Sequence, residues 1–81
     1  MILHVKEAKY LHGYVIEILF NNGTKGIVDL SAELEGEIFE PLKNLKFFKK
    51  FKIDPILETI VWSNGADIAP EFLYDKLKKI A

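Results

Sequence analysis

Three carboxylates, Asp67, Glu71 and Asp75, are spaced by four residues. On a continuous helix that spacing would line them along one flank, where they could hold a hard cation such as magnesium. Pro70 stands among them. A proline pushes the residue before it out of helical geometry, so a helix that starts at Pro70 displaces Asp67 from the flank. Acids at a helix start are then accounted for by the helix dipole and by capping, and no metal site is expected. His4 and His12 are the side chains that could exchange protons near neutral pH. No serine or aspartate lies at a spacing that suggests a triad with either. The chain has no cysteine, which removes a thiolate nucleophile, a thiolate zinc site and a disulfide framework together. No catalytic residue and no cofactor is expected.

Trp62, Asn64 and Tyr74 suggest recognition rather than catalysis, as the walls of a small aromatic pocket for a ligand or a partner's side chain. The competing use of Trp62 is as the largest plug of a small core, with its indole N–H on a backbone carbonyl, and that use is preferred. Charge is segregated in the middle of the chain. Glu33, Glu35, Glu37 and Glu40 precede Lys43, Lys46, Lys49, Lys50 and Lys52 with no opposite sign interleaved. A solvated face is the simpler reading, but phenylalanines among those lysines give a mixed basic and apolar surface that could dock an acidic protein or single-stranded nucleic acid. The candidate partner-binding residues are therefore Trp62, Asn64, Asp67, Glu71, Tyr74, Lys46, Lys49 and Lys50.

The elements that must position these residues can be read from periodicity. Loose alternation over residues 2 to 9 predicts a first strand, and Leu11-His12-Gly13 a turn. Residues 14 to 20 form the clearest strand, with Tyr14, Ile16, Ile18 and Phe20 on one face and Val15, Glu17 and Leu19 on the other. Asn21-Asn22-Gly23 predicts a hairpin turn into a return strand over 24 to 30, with Val28 and Leu30 facing the core and Lys25, Ile27 and Asp29 facing outward. Ser31 can cap a short helical turn containing Glu33 and Leu34, which Gly36 ends. Pro41 suits the first position of a helix, and Asn44 either continues that helix or caps a second turn carrying Phe47, Phe48 and Phe51.

Asp54-Pro55 marks a turn or sheet edge, and β-branched residues resume a strand over 57 to 62. Pro70 opens a last helix whose apolar stripe is Ala69, Leu73, Leu77 and Ile80. If Val15, Leu19 and Ile27 remain uncovered on the outer sheet face, they form an apolar patch of the kind that marks association.

At 81 residues, with 49% hydrophobic side chains, the chain is expected to be one domain over 1–81 with a core of its own. The net charge is −1 and every cationic side chain is a lysine. That argues against a dedicated nucleic-acid surface, since bidentate base and phosphate contacts are arginine work. His4, Lys6 and Glu7 interrupt any signal-peptide core and no apolar run approaches a membrane span, so a cytoplasmic location without membrane association is expected.

Together, Asp29-Leu30, Phe39-x-x-Leu42, Phe48 and the run Thr59-Ile60-x-Trp62-x-Asn64-Gly65-x-Asp67-Ile68-Ala69-Pro70-Glu71-x-Leu73-Tyr74 resemble the small bacterial proteins grouped as domain-of-unknown-function family 2442. The likeness spans almost the whole chain and is most specific from Trp62 to Tyr74, with Ser63 where proline is more usual. It implies an antiparallel sheet with helices packed on it and a role as one half of a toxin–antitoxin style pair. Some relatives carry a further helix-turn-helix domain, which is not expected in a chain ending at Ala81. The family brings no established catalytic residues. The expected fold is thus α+β, a mainly antiparallel four- or five-stranded sheet with a middle helical segment and a C-terminal helix on one face. The expected function is a non-enzymatic protein-interaction module with an unidentified protein partner, with homo-oligomerisation allowed. A weak nucleic-acid adaptor is the alternative, and a small-ligand or metal-dependent enzyme comes last.

Overall fold

The computed structural model describes residues 2–79. Its frame is an antiparallel meander of three main strands, β1 (Val5–His12), β2 (Val15–Phe20) and β3 (Lys25–Asp29). The first reversal comes later than expected. β1 runs through Leu11 to His12, which pairs with Val15, so the two-residue turn is Gly13-Tyr14, with Gly13 at a φ of 50°. The second reversal uses Asn21-Asn22-Gly23 as anticipated, with Gly23 at a φ of 87° and the Asn22 side chain accepting from the Thr24 N–H at 3.0 Å.

Strand alternation sets the two faces. Ile16, Ile18 and Phe20 of β2 and Val28 of β3 are buried, whereas Val15, Leu19 and Ile27 on the outer face are half-buried. Register places Glu7 and Lys25 beside Leu19, and Glu17 beside Ile27, so the apolar spots on that face are separated by charged side chains.

The connection after β3 is not helical, contrary to the turn expected at Ser31. The Asp29 carboxylate accepts the Ser31 N–H at 2.9 Å and the Glu33 N–H returns to the Leu30 carbonyl, which makes a single turn of the chain. This is the competition of a short polar side chain with helix formation. Leu34 is nonetheless buried. Pro41 sits in the first turn of a 3-10 segment, Glu40–Lys43, and Asn44 caps a separate helix, α1 (Leu45–Phe48), by accepting the Lys46 N–H at 2.9 Å. The second of the two readings of Asn44 is therefore the one realised, with Phe47 and Phe48 in the capped helix and Phe51 beyond its end.

A strand over 57 to 62 is too long. Asp54 accepts the N–H groups of Ile56 and Leu57, and Glu58 takes a φ of 55°, so extended geometry cannot begin until Thr59. What remains is β5 (Ile60–Val61), paired with β4 (Lys52–Ile53) in a separate two-stranded sheet.

The last helix, α2 (Pro70–Lys76), is also shorter than its apolar stripe suggested. Leu77 is extended, with φ −67° and ψ 131°, and β6 (Lys78–Lys79) pairs with β3 as the fourth strand of the main sheet. Ile80 lies outside the described residues. Gly26 makes this approach feasible: a methyl group there would collide with the Lys78 backbone oxygen and come within 2.8 Å of Leu77 Cγ. Leu77 thus reaches the core from an extended segment rather than from a helical turn. The α+β class and the antiparallel pairing are as expected, but among the described residues six strands divide between two sheets, and the fourth strand of the larger one follows α2.

Candidate functional site

Trp62 lies at a corner where three elements converge. It is 3% exposed, its indole N–H donates to the Phe48 carbonyl at 2.9 Å, and its ring meets those of Phe48 and Phe51 at centroid distances of 5.7 and 6.4 Å. Phe48 in turn receives the edges of Tyr10 and Tyr14. The Tyr14 hydroxyl donates to the Lys43 carbonyl, tying the first hairpin to the 3-10 segment. A side chain enclosed in this way cannot wall an open pocket, so Trp62 is the core plug.

The turn beyond it is closed by Gly65, at a φ of 92°, and by the Trp62 N–H to Ala66 carbonyl bond of 2.8 Å. Asn64 accepts the Ala66 N–H through its side-chain oxygen and donates its amide to the Ile38 carbonyl at 2.8 Å. That side chain clips the turn to the 36–39 loop, a structural use. Tyr74 is half-buried, with its ring 5.1 Å from Phe20 and nearly perpendicular to it. Glu71 is exposed in the first turn of α2. Lys46, Lys49 and Lys50 are exposed on and just after α1, and the Lys49 ammonium stands 5.3 Å above the Tyr10 ring.

His4 precedes β1 and His12 is its last residue. His4 Nδ1 lies 2.5 Å from a Glu58 carboxylate oxygen. Eight residues of strand put the two histidines roughly 26 Å apart at the usual rise per residue, so they cannot act as an acid–base pair.

Of the sequence candidates, Asp67 alone lines the most distinctive concavity. This groove, of about 370 Å³, is lined by Glu33, Glu35, Phe39, Asp67, Ile68, Ala69 and Phe72. It arises because two non-helical stretches meet the N-terminal turn of α2. Ile68 is held by the Thr59 hydroxyl, which donates to its carbonyl at 2.5 Å, and Leu34 anchors the acidic stretch so that Glu33 and Glu35 point elsewhere than the core. Phe72 lies off the buried stripe of α2, and at 38% exposure its ring is open to solvent.

The groove's charge is one-sided. Glu33 pairs with Lys76 at 3.7 Å, and the Lys76 ammonium stands 5.7 Å from the centre of the Phe72 ring. Neither Glu35 nor Asp67 has an ion pair or a side-chain hydrogen bond with a described residue. Among the described residues no three acidic or imidazole side chains converge as a metal site would require, so the carboxylates form a rim and not a cage.

Sequence reasoning named Glu33 and Glu35 only within the acidic block and Phe39 only within the family pattern, and it passed over Phe72. The available signals were the buried-leucine position between the two glutamates and a large aromatic beside, rather than on, the apolar stripe of the last helix.

A second concavity, on the outer side of the main sheet, is lined by Lys6, Lys9, Glu17, Leu19, Lys25 and Ile53 among others. Lys25 and Glu17 pair across it at 3.5 Å. The outer patch expected from Val15, Leu19 and Ile27 is not under either described helix. The buried faces of α1 and α2 sit against the opposite face of the sheet, through Phe48 on Tyr10 and Tyr14 and through Tyr74 on Phe20. No helix among the described residues is long and apolar enough to cross a membrane.

The family model described as "Protein of unknown function (DUF2442)" matches residues 5–79, and the chain belongs to that family. No curated protein and no solved structure matches the chain.

Proposed function

We propose that this member of the DUF2442 family is a non-enzymatic, cytoplasmic protein-interaction module, and that its partner docks at the groove between the acidic stretch and α2. The observation that supports this reading is a groove floored by Phe39, Ile68 and Phe72, of which Phe72 is 38% exposed. Exposed aromatic surface is a poor use of a small core's material unless another molecule covers it. Asp67 serves the same surface. Trp62, Asn64 and Tyr74 act beneath it as support, Glu71 lies exposed in the first turn of α2, and Lys46, Lys49 and Lys50 supply a separate basic surface.

The family likeness supports a regulatory or antitoxin-like role toward a small bacterial protein encoded nearby. Co-purification of the tagged chain from its native host tests it: a specific stoichiometric partner is the expected result. A chain that elutes alone and does not neutralise its neighbour's product would remove the reading.

Weak nucleic-acid binding is the second reading. It is favoured by the exposure of Lys46, Lys49 and Lys50 around one short helix. It requires oligonucleotide binding that weakens with salt, and flat titrations at low salt would end it.

A further inference from the structure

We infer that the groove is built to receive an arginine side chain, flanked by apolar residues, from the partner protein; this rests on the interaction reading above. The chain itself displays the chemistry. Lys76, from the last turn of α2, lays its ammonium over the Phe72 ring and beside the Glu33 carboxylate, so two of the groove's lining side chains, an aromatic ring and an acid, already hold a cation between them. The rest of the groove repeats those components without a cation. Phe39 supplies a second ring, and Glu35 and Asp67 supply two carboxylates that pair with no described residue. An aromatic floor under a negative rim attracts a cation through the ring quadrupole and through direct charge, and does so more strongly where the site is partly shielded from water. Apolar neighbours on the incoming segment would cover Ile68 and Ala69.

A guanidinium fits better than an ammonium. It is flat enough to stack on a phenylalanine ring while its N–H fork reaches two carboxylates, and it is more weakly hydrated. This also argues against a second copy as the occupant, because the chain contains no arginine. Its lysines are partly engaged as well, Lys43 with Glu40 at 3.2 Å and Lys49 with Tyr10. A copy inserting its basic segment into this acidic groove would make a head-to-tail contact, which closes only in a ring and otherwise propagates. Among the described residues no three carboxylates converge, which disfavours a bare metal ion.

Peptide titration followed by backbone amide NMR tests the inference. The probes are capped pentapeptides, Ala-Leu-X-Leu-Ala, with arginine, lysine or glutamate at the centre. The arginine peptide should bind weakly, in roughly the millimolar range expected of so few contacts. It should move the amides of Glu35, Phe39, Asp67, Ile68 and Phe72 saturably, with lysine weaker and glutamate silent. Combining Glu35→Gln with Asp67→Asn should weaken arginine-peptide binding about tenfold, the scale of two partly exposed ion pairs, while the unbound spectrum away from the groove stays as in the parent.

Four results would overturn the proposal: no shifts, equal shifts with the glutamate peptide, shifts that survive the double substitution, or shifts confined to the outer face around Val15, Leu19 and Ile27. Groove shifts that depend on protein concentration without peptide would assign it to a second copy instead. If a co-purified partner binds the doubly substituted protein as well as the parent, the arginine assignment falls while the interaction reading stands. If no partner exists, the interaction reading falls.

Discussion

Within the Thr59–Tyr74 stretch the chain places a tryptophan and a phenylalanine in opposite circumstances. At Trp62 rings meet rings: Phe48 and Phe51 enclose the indole, its N–H is satisfied by a backbone carbonyl, and 3% of the residue remains exposed. At Phe72 the ring meets a lysine ammonium and a line of carboxylates, and 38% remains exposed. Burial of large aromatics dominates the stability of a domain this small, whereas an exposed ring beside unpaired charge contributes little to folding. The contrast separates a support from a surface, and it does so by what closes over each ring rather than by residue type.

The substitution with the largest expected effect tests the supporting half. Trp62→Ala should cost about 3 to 5 kcal/mol, the scale for truncating a buried large aromatic, and could leave the domain unfolded at ambient temperature. Urea denaturation followed by far-UV circular dichroism measures it. A midpoint close to the parent's would dissolve the contrast and return Trp62 to the list of binding residues.

Gly26→Ala comes next. The added methyl meets backbone at Lys78 and the Leu77 side chain, so about 1 to 3 kcal/mol of overpacking cost is expected, with loss of the β3–β6 pairing before the rest of the sheet. Faster amide exchange at Ile27 than at Ile18 would show it; an unchanged pattern would mean that β6 accommodates the added methyl group.

Phe72→Ala should cost about 1 kcal/mol or less, in keeping with its exposure, while removing partner binding. The pair of measurements sharpens the comparison most, since a Phe72→Ala penalty equal to that of Trp62→Ala would make both rings structural.

The smallest effect concerns two carboxylates outside both aromatic sites, Asp54 and Asp29. The Leu57 and Ile56 N–H groups hold the Asp54 carboxyl below its ordinary value of 3.8, and the Ser31 N–H and hydroxyl do the same for Asp29. A depressed folded value favours folding fully above the unfolded value, and that contribution disappears as pH falls through the lower folded one. Denaturation midpoints should therefore be insensitive to these two groups near neutrality and decline below about pH 3.8. Asp54→Ala should reduce that acid decline. An unchanged decline in Asp54→Ala would place the acid sensitivity elsewhere.

Local chemistry was legible in the residues themselves. Alternation placed Ile16, Ile18 and Phe20 on one face because a strand repeats every two residues, and Asn22-Gly23 and Asn64-Gly65 announced their turns because Gly23 and Gly65 need positive φ. The use of Trp62 as a plug followed from its size against that of the domain. Family membership was legible in the run from Thr59 to Tyr74.

Where elements stop was decided by tertiary contacts. The stripe through Leu77 would satisfy a longer helix, yet an unpaired β3 edge and the space at Gly26 draw Leu77 and Lys78 into extended geometry. The strand expected from 57 shrank to two residues because Asp54 captured the neighbouring N–H groups. The groove was the least legible feature of all. Glu33, Glu35 and Phe39 are separated from Asp67 and Phe72 by about thirty residues of chain, and their adjacency exists only after Leu34 and Ile68 are buried in the same core. Periodicity reports which way a side chain points from its own element, but a concavity is a property of two elements at once, and for these two the packing alone brought them together.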